Sequence, residues 1–279
     1  MNGPEWLGPT SLDEALHLRA EREDEATVVA GGTFVGILMN QGFLMPTTLL
    51  SLRDVPGLDF IAANGELRLG AMTTHRAVER SAAAQESWPA LARAFSLVAS
   101  PRVRNQATVG GVLADADYAS DPPAMLTALG ARAVARSPEG EREIPLEELI
   151  TGYYETTLRP DELLVEVRVP ADVARATYRK FRSRSSEDRP CVSVGAVVRR
   201  DGGLRVVVGA VADRPQYFPE ICSLAGSGDL DRTLAEEIGR RYAEAIDPIS
   251  DSRGSAAYRK RIIAVEVRRA LEELVEARS

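Results

Sequence analysis

The sequence has few residues that bind metal ions or support redox chemistry. Its 279 residues include only two cysteines, Cys191 and Cys222, and two histidines, His17 and His75. An iron–sulfur cluster or a structural zinc ion normally needs about four such ligands, so neither is expected in this chain. A disulfide is the less favoured alternative to two free thiols, because the N-terminus shows no export signal. Redox chemistry would therefore require an organic cofactor.

The sequence also lacks a long hydrophobic segment and an excess of positive charge. No apolar run approaches the roughly 20 residues that span a bilayer, and the N-terminus lacks the basic and apolar regions of a secretion signal. The formal net charge of −7 argues against nucleic-acid binding, because phosphate groups attract basic surfaces. We therefore expect no membrane span, no nucleic-acid partner and a cytoplasmic location.

The residues that are present predict two domains of mixed helix and strand. Apolar residues make up 44% of the chain, enough for a sizeable core. The beginning of the chain alternates helix, strand, helix and strand, and its first helix starts with a capping box from Ser11 to Glu14. We expect a first domain over residues 1–170, with subdomains of about 1–55 and 56–170.

Residues 171–279 are predicted to form a second domain. Apolar segments predict strands at 178–181, 192–199 and 204–211, and an Asp-Gly-Gly turn joins the last two. Two helices are predicted after them, at about 230–245 and 255–277. These elements predict a three-stranded antiparallel sheet backed by helices, so the whole chain is assigned an α+β fold.

Two glycine-containing segments are candidates for a ligand site: Ala30-Gly31-Gly32-Thr33 and Thr108-Val109-Gly110-Gly111. Adjacent glycines permit positive φ values and let a ligand approach backbone N–H groups, which suits a phosphate at a helix start. A tight turn without a ligand is the commoner role of such a pair, and that alternative stays open. Neither segment fits G-x-G-x-x-G or a P-loop, so those two nucleotide-binding motifs are absent.

Several short motifs occur in a fixed order along nearly the whole chain. They are Ala30-Gly31-Gly32-Thr33, Thr73-Thr74-His75, Thr108-Val109-Gly110-Gly111, Ser120-Asp121, the Arg-Pro-Asp-Glu-Leu-Leu run at 159–164, Tyr178-x-Lys180-Phe181-x-x-Arg184-x-x-x-Asp188, and Ser255-Ala256-Ala257-Tyr258-Arg259. No single motif is specific, but their order and spacing are. Together they resemble one protein family, the medium, FAD-binding subunit of molybdenum hydroxylases, which is the flavoprotein of the xanthine dehydrogenase and aerobic carbon monoxide dehydrogenase group.

The resemblance implies an FAD-binding domain of the vanillyl-alcohol-oxidase type, made of two subdomains and completed by a small C-terminal domain. Both glycine segments would hold the FAD pyrophosphate. Asp121 would hydrogen-bond to the cofactor, Leu164 would pack against the flavin, and Lys180 would stabilise negative charge on the reduced ring. The implied cofactor-binding residues are Ala30, Gly31, Gly32, Thr33, Phe34, Val35, Thr74, Thr108, Val109, Gly110, Gly111, Val112, Asp121, Leu164 and Lys180.

Some residues depart from the family's pattern or have a simpler interpretation. Val112, Tyr118, Pro190 and Cys191 differ from the residues usual near the flavin ring. A strand lysine such as Lys180 is often just solvated, and this alternative stays open. His75 is expected to take part in helix capping and local hydrogen bonds. A solvated position is expected for Arg102, Arg104 and the basic residues at 259–261 and 268–269.

The resemblance further implies an oxidoreductase, as an electron-transfer flavoprotein subunit. A large molybdopterin subunit would oxidise the substrate, and electrons would pass through the [2Fe–2S] clusters of a small subunit to FAD in this chain and then to an external acceptor. The molybdenum cofactor and the clusters are expected only in those partners, which gives a heterotrimer. Two alternatives stay open: a stand-alone FAD oxidoreductase and a flavin-free scaffold subunit.

Overall fold

The first structural unit is a parallel sheet of three short strands. In the computed structural model, which describes residues 3–185, 188–226 and 230–277, its strand order is β1-β3-β2. The unit includes one strand that the sequence did not predict, β1, which pairs in parallel with β3. Its elements are β1 (Glu5–Leu7), α1 (Leu12–Arg22), β2 (Ala26–Val29), α2 (Thr33–Asn40) and β3 (Thr48–Ser51).

Helix α1 starts at the predicted cap, with one difference in the hydrogen bonding. The Ser11 hydroxyl accepts from the Glu14 amide at 3.2 Å, as the capping box requires. The Glu14 carboxylate, however, accepts from the amide of Thr10 at 2.8 Å, one residue before Ser11. Both free N–H groups near the helix start are still paired, so the predicted boundary is confirmed.

The second unit is a five-stranded antiparallel sheet covered by short helices, with strand order β4-β5-β10-β6-β7. A separate two-stranded hairpin, β8–β9, follows the sheet's β7 strand. The elements are β4 (Ile61–Ala63), β5 (Glu66–Gly70), α3 (His75–Arg80), α4 (Ala82–Ser87), α5 (Pro89–Ser96), α6 (Pro101–Arg104), α7 (Val109–Ala114), α8 (Pro122–Ala128), β6 (Arg132–Ser137), β7 (Gly140–Pro145), α9 (Leu146–Leu149), β8 (Ile150–Gly152), β9 (Glu155–Thr156) and β10 (Leu163–Pro170).

Strand β10 lies at the centre of this sheet and is buried on both faces. Leu164 and Val167 pack into the main core, whereas Leu163 and Val165 pack towards α1. In the sequence, the alternation of apolar and charged residues at 163–169 predicts a half-buried strand. That prediction is wrong because Glu166, the charged residue at its centre, is buried and ion-paired with Arg68 at 2.6 Å.

The third unit is an antiparallel sheet with helices on one side. The three predicted strands are present, and a two-residue strand, β14, extends the sheet to the order β11-β12-β13-β14. The elements are β11 (Val173–Phe181), β12 (Val192–Arg199), β13 (Leu204–Gly209), β14 (Gln216–Tyr217), α10 (Pro219–Cys222), α11 (Arg232–Ala245) and α12 (Ala256–Glu276). In the part of the chain that the structure describes, no helix is long and apolar enough to cross a membrane.

Helix α8 packs directly against the third unit's sheet. A Cβ atom added at Gly195 would lie 3.1 Å from the carbonyl oxygen of Ala124, and one at Gly209 would lie 2.9 Å from the Ala124 methyl group. Glycine at these positions therefore allows helix and sheet to touch. Tyr178 and Val197 of this sheet also belong to the main core of the second unit. The domain boundary predicted at residue 170 stays a prediction. Residues from both sides of this boundary pack into one hydrophobic core.

Two of the basic residues predicted to be solvated are buried. Arg259, on α12, is fully buried and forms an ion pair with Asp251 at 2.6 Å. It also donates to the carbonyl oxygens of Cys191 (2.8 Å) and Ala210. Arg104 forms an ion pair with Glu79 at 2.9 Å. The prediction failed at both positions because their partners lie in other segments of the chain.

The burial of Arg259 yields a test of stability. Arg259→Met should lower the free energy of unfolding by roughly 3–5 kcal/mol, because it leaves the buried carbonyl groups of Cys191 and Ala210 without their donor and removes one of the two cations paired with Asp251. Arg261→Met, at an exposed position of the same helix, should change it by less than about 0.5 kcal/mol. Urea unfolding of both variants measures the difference. Equal stabilities would show that Arg259 does not hold α12 in place.

Candidate functional site

A cavity of about 820 Å³ lies where the three units meet. Its wall contains thirteen of the fifteen residues predicted from the resemblance, including both glycine segments. Those thirteen are Ala30, Gly31, Gly32, Thr33, Phe34, Val35, Thr108, Gly110, Gly111, Val112, Asp121, Leu164 and Lys180. Residues from distant parts of the sequence are therefore brought together around one space of a size typical of a cofactor site.

The other two predicted residues lie behind the cavity wall. Val109 is fully buried in the main core, and its amide donates to the carbonyl oxygen of Thr73 at 2.9 Å. The Thr74 hydroxyl caps α3 by accepting from the Ala77 amide at 3.1 Å. Both residues hold neighbouring segments in place, and neither lines the cavity.

The first glycine segment touches the backbone that immediately precedes the second. A Cβ atom added at Gly31 would lie 1.8 Å from the carbonyl oxygen of Gln106, which is far inside van der Waals contact. A Cβ atom added at Gly110 would lie 2.7 Å from the methyl group of Ala71. The absence of a side chain at Gly31 and Gly110 therefore serves close packing between segments.

The first glycine segment leaves backbone donors free at the start of α2. Gly32 is the N-cap residue, with φ of 68°, and no side chain caps the helix. The first intrahelical bond is from the Gly36 amide to the Gly32 carbonyl at 2.9 Å. The N–H groups of Thr33, Phe34 and Val35 consequently have no intrahelical acceptor. Such an uncapped helix start attracts an anion through its N–H groups and its dipole.

The second glycine segment has its backbone donors already in use. The Thr108 hydroxyl accepts from the Gly111 amide at 3.1 Å, and the Gly110 amide donates to the Ala71 carbonyl at 2.8 Å. Gly111 lies inside α7 and does not adopt a positive φ, contrary to the expectation for both segments. The N–H groups available to an anion therefore belong to the first segment, whereas those of Val109, Gly110 and Gly111 in the second are already hydrogen-bonded within the chain.

Asp121 and Lys180 form a buried ion pair at the cavity wall. The Lys180 ammonium lies 2.7 Å from an Asp121 carboxylate oxygen, and only 1% of the lysine side chain is exposed. It also donates to the carbonyl oxygen of Leu97 at 2.8 Å. Burial lowers the pKa of Lys180, and the carboxylate of Asp121 opposes that shift. The alternative of a solvated lysine is therefore excluded.

The same carboxylate joins the second and third units. Asp121 stands at the N-cap position of α8, whereas Lys180 and Tyr178 lie two residues apart on β11 and so share a face of that strand. The Tyr178 hydroxyl donates to the other Asp121 carboxylate oxygen at 2.7 Å. Both oxygens of Asp121 are thus occupied by the third unit, and the ammonium of Lys180 is fixed at the cavity.

Sequence reasoning missed an aromatic pair at the cavity. The ring of Tyr154, in the turn of the β8–β9 hairpin, stacks on Phe34 with centroids 5.8 Å apart and an interplanar angle of 16°. Tyr154 has φ of 61°, and its amide donates to the carbonyl of Ala116 at 3.1 Å. Nothing in the local sequence of the hairpin signals this contact, because Phe34 is distant in the chain.

An acidic pair and an arginine were also missed. Asp115 and Asp117 line the cavity, and Arg189 forms an ion pair with Asp117 at 2.6 Å. Burial and the nearby charge of Asp117 raise the pKa of Asp115 to about 7. Asp115 therefore changes charge near neutral pH, whereas the neighbouring Asp117 is paired with Arg189. The sequence signal for this pair was the presence of acidic residues at alternate positions, 115 and 117, directly after α7.

His75 lies under the second glycine segment. Its Nε2–H donates to the carbonyl of Thr108 at 3.2 Å, and its ring meets Phe95 edge-on at 5.0 Å. Burial lowers its pKa to about 4, and the charge of Arg104 adds to this shift. The imidazole is therefore neutral at pH 7 and supports the backbone of Thr108. The predicted capping role is wrong, because Thr74 caps α3 and the hydrogen bond of His75 reaches a residue 33 positions away.

The structure offers no metal-binding cluster among the residues it describes. No group of three or more histidine, cysteine or acidic side chains is arranged to hold a metal ion there. Cys191 and Cys222 are both buried free thiols. The donors at the cavity wall include backbone N–H groups, the Lys180 ammonium and the Arg189 guanidinium, and such a set suits an organic anion.

Two family models match almost the whole chain. Residues 2–172 match the FAD binding domain in molybdopterin dehydrogenase, and residues 176–274 match the CO dehydrogenase flavoprotein C-terminal domain. The chain therefore belongs to the family of FAD-binding flavoprotein subunits of molybdenum-containing dehydrogenases. The predicted resemblance and the predicted α+β fold class are confirmed.

Particular relatives cover nearly the whole length of the chain. It is 33% identical to the 6-hydroxypseudooxynicotine dehydrogenase complex subunit alpha of Paenarthrobacter nicotinovorans, over 96% of this chain and 93% of that one. It is 30% identical to the carbon monoxide dehydrogenase medium chain of Hydrogenophaga pseudoflava, over 96% and 95%. A solved structure of the carbon monoxide dehydrogenase of Hydrogenophaga pseudoflava superposes with a TM-score of 0.92 at 29% identity, over 97% and 96%.

The contact at Gly31 predicts that alanine at two different glycine positions changes the free energy of unfolding in opposite directions. Gly31→Ala should lower the free energy of unfolding by roughly 1–3 kcal/mol or more, because the new methyl group meets backbone that cannot rotate away. Gly36→Ala, in the middle of α2 with open space around it, should raise it by roughly 0.5–1 kcal/mol. Chemical unfolding of both variants provides the comparison. Stabilisation by both alanines would contradict the close approach of the two segments.

The depressed pKa of His75 predicts a pH dependence of stability. Between pH 6.5 and about 4 the unfolded chain binds a proton that the folded chain does not, so stability falls as pH is lowered. The loss should total about 3 kcal/mol. His75→Gln should remove this part of the pH dependence, whereas His17→Gln, at an exposed position of α1, should keep it. Unfolding measured at several pH values gives the free energy of unfolding against pH for the parent chain and each variant. If His75→Gln and the parent chain showed the same dependence on pH, His75 would not be responsible.

Proposed function

We propose that this chain is the FAD-carrying electron-transfer subunit of a multi-subunit molybdenum hydroxylase. It would receive electrons from the [2Fe–2S] clusters of a small partner subunit and deliver them to an external acceptor. The observation that carries the proposal is the uncapped start of α2, which lies at the wall of a cavity that a fixed ammonium group also lines. Family membership supports the same conclusion.

The residues around the cavity fit FAD. The N–H groups of Thr33, Phe34 and Val35 would bind the pyrophosphate, and Gly32 allows it to approach the backbone. Leu164 offers an apolar surface for the flavin, and Lys180 and Asp121 offer charge beside it. FAD, when bound, supplies the ability to accept and return electrons. Direct cofactor contact by Thr74, Thr108, Val109, Gly110, Gly111 and Val112 stays a prediction.

Lys180 would make the cavity favourable to negative charge. Its ammonium is held by Asp121 and by the Leu97 carbonyl, so it cannot move into solvent without breaking both contacts. A fixed cation of this kind stabilises charge that appears nearby without a cost of reorganisation. The chain therefore contributes binding, orientation and a fixed electrostatic field, and no side chain needs to act as an acid or base.

The partners follow from what this chain does not supply. Relatives are named as a complex subunit and as medium chains, which places them in multi-subunit proteins. This chain has two buried cysteines and, among its described residues, no metal-binding cluster. A large molybdopterin subunit and a small iron–sulfur subunit would therefore hold the molybdenum cofactor and the [2Fe–2S] clusters. The cytoplasmic location stays a prediction, which cell fractionation tests.

Purification of the tagged chain from its host tests the proposal. We expect two further subunits to co-purify, together containing molybdenum and iron, and one FAD per tagged chain. Acid precipitation should release the FAD into the supernatant, because neither glycine segment contains a histidine or cysteine and the Nε2 atom of nearby His75 is hydrogen-bonded to the Thr108 carbonyl. A complex without flavin would indicate a scaffold subunit, and FAD without partners would indicate a stand-alone oxidoreductase.

The charge of Lys180 predicts a change in flavin potential. Lys180→Met should lower the FAD midpoint potential and slow electron delivery to the acceptor, with flavin content nearly unchanged. Adding Asp121→Asn to this variant should restore much of the potential, because the pair as a whole carries no net charge. Lys260→Met provides the matched control. Potentiometric titration of each purified complex makes the comparison, and a Lys180→Met value equal to that of the parent would exclude the role.

A further inference from the structure

Helix α2 is held weakly by its own side chains. No residue of α2 is buried, and none of its eight residues joins the hydrophobic clusters that the described residues form. A helix this short is marginally ordered by itself, because tertiary packing normally supplies most of its stability. The free N–H groups of its first turn bind an anion well only if they keep their positions, so a contact from outside the helix is needed there.

Phe34, in the first turn of α2, provides such a contact. Its ring stacks on the ring of Tyr154 with centroids 5.8 Å apart and an interplanar angle of 16°. Stacked aromatic rings attract each other beyond the effect of the area they bury. Tyr154 lies in the turn of the β8–β9 hairpin, and both residues line the cavity. The stack therefore connects the start of α2, in the first unit, to the second unit at the cavity wall.

The backbone of Tyr154 has an unusual conformation for an aromatic residue. Its φ of 61° lies in the left-handed region, which favours glycine. The Tyr154 amide donates to the carbonyl oxygen of Ala116 at 3.1 Å, and Ala116 itself is fully buried with φ of 45°. Conformations of this kind persist where the surrounding structure fixes them, and they cluster at functional sites. One hydrogen bond thus joins two such residues at a place where Asp115 and Asp117 line the cavity.

The ring of Tyr154, rather than its backbone, accounts for a tyrosine at this position. Glycine would adopt the same φ at a lower cost. The side chain is not needed to fill a core either, because Tyr154 is 52% exposed and belongs to no hydrophobic cluster among the described residues. What the ring provides is its contact with Phe34.

We propose that Tyr154 is a positioning residue for the bound cofactor, because its ring holds Phe34 and with it the first turn of α2. The N–H groups of residues 33–35 then stay in place to bind the pyrophosphate, so Tyr154 acts on the cofactor through Phe34. This inference rests on the function proposed above. It goes beyond that function by assigning the retention of FAD to a residue outside both glycine segments.

Replacement of Tyr154 by glycine separates this role from a structural one. Tyr154→Gly removes the ring and places at φ of 61° the residue that this conformation favours. We expect FAD to dissociate from the purified complex at least tenfold faster, as measured by the fluorescence of the released flavin after dilution. A dissociation rate within twofold of the parent value would overturn the proposal.

The unfolding midpoint of the same variant provides the second readout. It is measured on the tagged chain freed of flavin, because a bound cofactor itself shifts the midpoint. The midpoint of Tyr154→Gly should equal or exceed that of the parent chain, since the ring is half exposed and the turn favours glycine. A lower midpoint would show that Tyr154 serves the fold rather than the cofactor, and the proposal would be wrong.

Tyr154→Phe tests whether the ring or the hydroxyl group is responsible. Phenylalanine keeps the stacked ring, so FAD should dissociate at a rate within twofold of the parent value. Dissociation as fast as from Tyr154→Gly would show that the hydroxyl group retains the cofactor, which contradicts a role for the stack.

The pairing with Phe34 is tested by combining two substitutions. Phe34→Ala removes the other ring and leaves the backbone N–H of residue 34 in place. If the two rings act as a pair, the variant with both Phe34→Ala and Tyr154→Gly should release FAD no more than twofold faster than the faster single variant. Effects that multiply would show that the two residues act independently, and the proposal would fail.

Tyr153→Ala is the matched control, because it removes a neighbouring ring from the same turn. Tyr153 is 43% exposed, packs edge-on against Tyr118 with centroids 5.3 Å apart and does not line the cavity. This variant should release FAD at the parent rate. A tenfold faster release would show that the hairpin as a whole retains the cofactor, which excludes a specific role for Tyr154.

The two proposals fail in different ways. If the unaltered complex contains no FAD, the proposed function is wrong and the role of Tyr154 is rejected with it. If the unaltered complex contains FAD and Tyr154→Gly releases it at the parent rate, the function stands and Tyr154 is not a positioning residue.

Discussion

The approach of Gly31 to the carbonyl oxygen of Gln106 is the contact on which the candidate site depends. It brings two backbones together from opposite halves of the first domain, at a distance that no side chain would permit. The start of α2, which no side chain caps, lies at the cavity wall. The donors of the second glycine segment bond within the segment and to the neighbouring residues Ala71 and Thr73.

The ion pair between Asp121 and Lys180, also at the cavity wall, holds two structural units together. An ion pair excluded from water is rarely worth much as a source of stability, because desolvation offsets the attraction. Here it also fixes the position of β11 against α8, since Tyr178 and Lys180 take one carboxylate oxygen each. The position of the ammonium is thereby set by contacts between two units, and it depends on their packing.

Local patterns in the sequence predicted elements well and long-range partners poorly. The capping box at Ser11 and the helix after Gly32 are short-range features, and the structure places both where expected. Arg104 and Arg259 were misjudged because the carboxylates that neutralise them, Glu79 and Asp251, are not visible as partners in a linear pattern. The set of cavity residues came from resemblance to a family, whereas the residues missed, such as Tyr154, reach the cavity only through tertiary folding.

The uncapped start of α2 couples two events that would otherwise be separate. A short helix without a cap is only marginally ordered by itself, so an anion bound at its first turn completes the helix as a cap would. By thermodynamic linkage, an anion that binds the ordered helix more tightly stabilises α2, and any contact that orders α2 raises its affinity for the anion. Ligand binding at the cavity and the order of these eight residues of backbone therefore strengthen each other.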